Sequence, residues 1–128
     1  MKIIITGREQ ALSCAEAESL FGSVKILNDH AIQVPVVNVD INQLGGAIKI
    51  ADIINRLQIK PINLVPIVSE TILSNISQPK FNFGISYYGK GSIPKNLGFK
   101  IKRHLQKLGK NHRLVQGTKN HLNAATII

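Results

Sequence analysis

The hydrophobic residues of this chain follow two different rhythms, and each rhythm restricts what its segment can become. In "LGFKIKRHLQKL" (97–108), Leu97, Ile101, Leu105 and Leu108 recur at i, i+4, i+8 and i+11, the spacing of one face of an α-helix. In "FNFGISYYG" (81–89), Phe81, Phe83, Ile85 and Tyr87 alternate, the period of a half-buried strand. "KIIIT" (2–6) is a short β-branched run stopped by Gly7, as expected of a buried strand. Short pieces of both kinds, separated by Gly and Pro, specify an α+β protein.

The remaining segments fill in an order. Ser13 is the expected N-cap of the helix "CAEAESLF", with Glu16 three residues on to complete a capping box and Gly22 to close it. "VKIL" (24–27), the turn "NDH" and "AIQVPVVNV" (31–39) read as a hairpin, and Pro35 argues that its second strand lies at an edge or bends there. A helix is expected from about Gln43, with Leu44, Ile48, Ala51, Ile54 and Leu57 broadly on one face and Gly45-Gly46 weakening its first turn. This β-α-β-β-α order begins a ferredoxin-like split unit.

Beyond it, "QIKPINLVP" reads as a linker or short strand, and "IVSETILSNI" as a short helix ended by "SQPK". After the strand at 81–89 and the loop "KGSIPKN", with Pro94 suited to helix entry, the second amphipathic helix runs from about Lys95 to Leu108. Gly109 is its C′ residue. "HRLVQG" is the next expected strand, and "NHLNAATII" a last short helix or strand. These expectations divide the chain into a domain at 1–60 and another at 61–128.

Charge is distributed as unevenly as hydrophobicity is regularly. The first 79 residues carry six Lys or Arg and seven Asp or Glu; residues 80–128 carry ten and none. The net charge of +9 therefore belongs entirely to the second part of the chain. Such asymmetry points to a polyanionic partner, most often nucleic acid and less often a membrane surface. The N-terminal apolar run is too short for a signal peptide, and no stretch approaches the roughly 18 apolar residues of a membrane span. The chain reads as cytoplasmic.

The residues also exclude much chemistry. Cys14 is the single cysteine, so there is no intrachain disulfide and no cysteine-based zinc site; inside a helix it reads as a small buried residue. No phosphate-binding loop, nucleophile elbow, CxxC or HExxH occurs, and "LGG" and "GKGS" lack the spacing of nucleotide loops. His104 and His112 fall near each other across the helix–strand turn, but no third ligand accompanies them. They read as neutral donors on a basic surface. The seven carboxylates are scattered through the first part of the chain. No catalytic residue, cofactor site or metal site is expected.

What remains is the basic helix. "GFKIKRHLQKLGKNHR" (98–113) holds six of the sixteen Lys and Arg residues. Lys100, Arg103 and Lys107 follow i, i+3, i+7 off the apolar stripe, with Lys102 beside them, Lys90 and Lys95 at the entry, and Lys110 and Arg113 at the exit. A merely solvated face intersperses Glu and Asp with Lys, because i,i+4 pairs stabilise the helix. Like charges at those spacings cost a few tenths of a kcal/mol per pair, and an anionic partner relieves that cost through counterion release. Membrane-lying and calmodulin-type helices want several large aromatics beside the cations, and only Phe99 is present. The Phe spacing at 81–83 is a core face rather than a base-stacking platform, and the "KGFGFV"-type pattern of an RNA-recognition motif is absent. These eight basic residues are the candidate RNA-binding set, directed at folded RNA through backbone and shape.

The order "KFNFGISYYG…IPKNLGFKIKRHLQKLGKNHRLVQG…HLNAATII" resembles the THUMP region of tRNA guanine-N2 methyltransferases. "ITGREQALSCAEAESLF" and "LGGAIKIADII" are similar to the segment that precedes THUMP in those enzymes, so the likeness spans nearly the whole chain. It implies a ferredoxin-like N-terminal domain and a THUMP-like domain lacking its last strand or strands. It also implies that the basic helix helps dock the acceptor end of tRNA for a methyltransferase domain, in cis or in trans. S-adenosylmethionine and the "(D/N)PP(Y/F)" motif belong to that domain and are not in this chain. The implied partner is tRNA or another structured RNA, with neither DNA nor membrane. The alternative reading is a stand-alone protein-interaction or assembly module whose basic face meets an acidic partner.

Overall fold

The structure, a computed structural model, describes residues 1–56, 58, 61–76, 80–89, 95–109 and 111–114. It is α+β, and it divides into two compact units at Ile54/Asn55.

The first unit is a four-stranded antiparallel sheet with one helix. Strands β1 (Lys2–Thr6), β2 (Lys25–Asn28), β3 (Ala31–Val34) and β4 (Ala47–Asp52) stand in the order β2-β3-β1-β4. Helix α1 (Gln10–Phe21) joins β1 to β2. Both of those strands pair antiparallel with β3, so they run parallel to each other with β3 inserted between them. Register places Ile4 opposite Ile32 on one side and Ile50 on the other, with Ile26 beyond Ile32. Cross-strand partners share a face; Ile4, Ile32 and Ile50 pack with Ala17, Val34 and Leu44 into the core of the unit, while Ile26, on the edge strand, is exposed.

Three expectations change here. The helix foreseen from Gln43 is a short 3₁₀ turn at Ile41–Gln43 followed by strand β4. "AIKIAD" satisfies a period of two as well as the helical one, Gly45-Gly46 interrupt helix propagation, and the open edge of β1 recruits the Ile-rich run. The hairpin forms, but β3 is a central strand with all four residues buried and β2 takes the edge; β3 stops at Val34, immediately before Pro35, which has no N–H for a ladder. Ser13 does not cap α1. The helix starts a turn earlier, after Glu9, and Ser13 is buried on its inner face. Gly22 does close it, with φ +82° and its N–H donating to Glu18 O at 2.9 Å.

The second unit alternates helix and strand: α2 (Leu64–Asn75), β5 (Lys80–Phe83), α3 (Leu97–Lys107) and β6 (Asn111–Leu114). A 3₁₀ turn at Pro61–Asn63 leads into α2. Pro66, expected in the linker, lies in the first turn of α2, where a missing N–H costs nothing. Strand β5 is shorter than the alternation at 81–89 suggests, because residues 84–86 leave the ladder. It pairs in parallel with β6, and a parallel pair needs a crossover, which here contains α3. Ile72, Phe81, Phe83, Leu97, Ile101 and Leu105 form one buried cluster. Each such side chain contributes roughly 1.5–3 kcal/mol on leaving water. The expected segments after Leu114, and Pro94 at the entry to α3, lie outside the described residues.

Candidate nucleic-acid interface

Helix α3 is held from beneath by its apolar stripe. Leu97, Ile101 and Leu105 are at most 2% exposed and pack with α2 and β5. At 3.6 residues per turn these three span roughly 80° of arc. Leu108, expected to extend the stripe, is 47% exposed, because the helix ends at Lys107 and Leu108 is its C-cap. Both ends rest on residues that tolerate left-handed backbone. Asn96 precedes the helix at φ +59° and Gly109 follows it at φ +75°. His104 and Lys107 occupy the last turn, where cations interact favourably with the helix dipole.

The cations fall on the opposite side. Lys100, Arg103 and Lys107 are exposed and Lys102 is half-buried on a flank. The first three lie within roughly 60° of arc. None of these four makes an ion pair among the described residues. Lys95 is exposed just before the helix. Arg113 stands on β6 with its Cα opposite Asn82. Lys90 and Lys110 lie outside the described residues, as does the side chain of Arg113. The structure thus brings Lys100, Lys102, Arg103 and Lys107 together on one helix, with Lys95 adjoining it in sequence.

The other features weighed from sequence are structural. Phe81 and Phe83 are 5% and 1% exposed, their ring centroids 6.4 Å apart, so they are core and offer no surface for a base. Cys14 is half-buried, and burial, with the nearby Glu18 carboxylate adding to it, pushes its thiol above the ordinary value; it is not an activated thiolate. Among the described residues, no three of His, Cys, Asp and Glu gather as a metal ion requires, and no helix is long and apolar enough to cross a membrane.

One constellation escaped the reading of the sequence. Glu16 accepts hydrogen bonds from the N–H groups of Gly45 (2.7 Å) and Gly46 (3.1 Å), and the Ser13 hydroxyl reaches Gly46 O at 3.2 Å and Glu9 O at 3.1 Å. The Gly pair was its only sequence signal, since the partners lie 29 to 33 positions away. A Cβ on Gly46 would meet Ser13 Oγ at 2.3 Å, so the small residue permits the close approach. The Glu16 carboxylate occupies the amides that a bound anionic group would otherwise need, and Gly7 N–H is taken by Gly46 O at 2.8 Å. A cleft of about 330 Å³ beside this clamp is lined in part by Arg8, Glu9, Leu12 and Ile48. The glycines here are architectural and do not fit a cofactor cradle.

Compared with models of known families, with curated proteins and with solved structures, the chain gives no match.

Proposed function

We propose that this chain docks a structured RNA, tRNA being the expected kind, on the outward face of α3, and so presents it to a methyltransferase domain lying in cis or in trans. The observation that carries this reading is the composition of that face. Lys100, Arg103 and Lys107 are exposed, lie off the buried stripe, and have no acidic neighbour on their helix or anywhere in 80–128. Three unneutralised cations on one rigid helix match a row of phosphates, and their mutual repulsion is relieved when phosphates replace bulk counterions. Lys95 and Lys102 extend the surface, and Lys90, Lys110 and Arg113 are assigned to it by their place in the sequence.

Two features of the fold support the ferredoxin-like and THUMP-like assignment. In the first unit β3 splits a β1-α1-β2 unit, as in ferredoxin-like domains, with residues 35–46 standing where a second helix would cross. In the second, a β5-α3-β6 crossover carries the basic helix on its outside. The methyl donor, S-adenosylmethionine, belongs to the partner domain, and no chemical step is assigned to these residues.

The test is retention of labelled tRNA on filters by the purified chain at two salt concentrations, with duplex DNA as competitor. Salt-sensitive binding that resists the DNA competitor is the expected result. Equal, weak binding to every nucleic acid overturns the reading and favours an assembly module for an acidic protein.

A further inference from the structure

We infer that Phe99 is a base-stacking residue, so that the RNA docked by α3 presents an unpaired nucleotide to the helix rather than an unbroken duplex. The inference rests on the RNA-docking reading above and adds what that RNA must offer.

Position is the first argument. The direction opposite the middle of the Leu97–Ile101–Leu105 stripe falls between Phe99 and Arg103, each roughly 20° from it. Phe99 therefore stands at the crown of the solvent face and is 50% exposed. Of the four Phe residues it is the exposed one: Phe81 and Phe83 are buried and Phe21 is half-buried. Lys102 and Arg103 follow it at i+3 and i+4, the positions that are neighbours on a helix surface.

Chemistry is the second. Apart from the ring, the exposed face of α3 is built from Lys100, Arg103, Gln106 and Lys107. A Phe there adds nothing to the core, has lower helix propensity than Lys or Gln, and keeps an apolar ring in water. Duplex backbones are held by cations and hydrogen-bond donors, which leave a ring without a task. Unpaired nucleotides are held by an aromatic platform for the base with cations beside it for the phosphates, and Phe99 with Lys102 and Arg103 is that combination. The ring is alone among cations, unlike the broad apolar face of a membrane-lying helix.

The experiment compares two RNA hairpins with the same stem, one blunt and one ending in several unpaired nucleotides. The chain contains no Trp, so Phe99→Trp installs a single Trp at the proposed platform, which can be excited apart from the two Tyr. Its emission should be quenched by the hairpin with unpaired nucleotides and little changed by the blunt one. Phe99→Ala should lose roughly 5- to 150-fold in affinity for the first hairpin, the range for one stacked base, and keep its affinity for the second. Because the ring is outside the core, circular dichroism of both variants should match the parent chain. If Phe99→Ala binds both hairpins normally, or weakens on both alike, the stacking role is overturned while RNA docking stands. If the parent chain binds neither hairpin in a salt-sensitive way, the docking reading falls and this inference with it.

Discussion

Neutralising the outward face of α3 gives the most direct quantitative test. Replacing Lys100, Arg103 and Lys107 together with Gln removes three charges and keeps good helix formers at exposed positions. Each phosphate contact contributes roughly 0.7–0.9 to the slope of log affinity against log salt, so the triple variant should lose about 2 to 3 units of slope. At physiological salt, relative to a 1 M reference where the term vanishes, that amounts to roughly 50- to 150-fold weaker binding. Filter retention of tRNA from low salt to about 1 M should show the two proteins diverging at low salt and converging at high salt. Stability should not fall. The substituted residues lie away from Leu97, Ile101 and Leu105, and losing like-charge pairs at 100/103 and 103/107 should gain a few tenths of a kcal/mol. An unchanged slope would refute the reasoning, because it would mean these cations do not face phosphates. A large drop in the urea midpoint would refute the placement of these side chains outside the core.

The other predictions concern the scaffold. Ile101→Ala, at a site with 0% exposure, should cost about 2–5 kcal/mol in a urea melt, whereas Leu108→Ala, 47% exposed, should stay within about 1 kcal/mol. Gly46→Ala should cost about 1–3 kcal/mol by overpacking against Ser13, and less when Ser13→Ala has first removed the hydroxyl 2.3 Å from the new Cβ. Alkylation of Cys14 by iodoacetamide at neutral pH should be slower than that of a free thiol, since burial and Glu18 raise its pKa. By the same linkage the half-buried neutral thiol favours the folded state at neutral pH, and that contribution is lost as alkaline pH passes the folded value.

How far the fold was legible depended on whether a segment satisfied one period or two. In "LGFKIKRHLQKL" only the helical period separates apolar from charged residues, and α3 forms within two residues of the expected bounds. In "GGAIKIAD" both periods fit, and the decision came from outside the segment: β1 already had β3 on one edge and needed a partner on the other. No window along the chain contains that requirement. The same limit applies to Ser13. Its spacing from Glu16 matches a capping box, yet both side chains turn toward Gly45 and Gly46, residues brought near only by the sheet.

The candidate site divides along the same line. Lys100, Arg103 and Lys107 were recognisable because their spacing puts them off a stripe that is itself unambiguous, so burial of Leu97, Ile101 and Leu105 turns the cations outward. Phe99 was visible in the sequence only as a lone aromatic. A single Phe carries no period, and its meaning depends on which of the remaining directions around the helix is furthest from the core. Once the burial of Leu97, Ile101 and Leu105 fixes the core side of the helix, the opposite direction falls between Phe99 and Arg103, and the ring lands at the crown. The buried stripe therefore bears on the proposed function as well as on packing: if α3 docks RNA, burial of Leu97, Ile101 and Leu105 sets which side chains that RNA meets first.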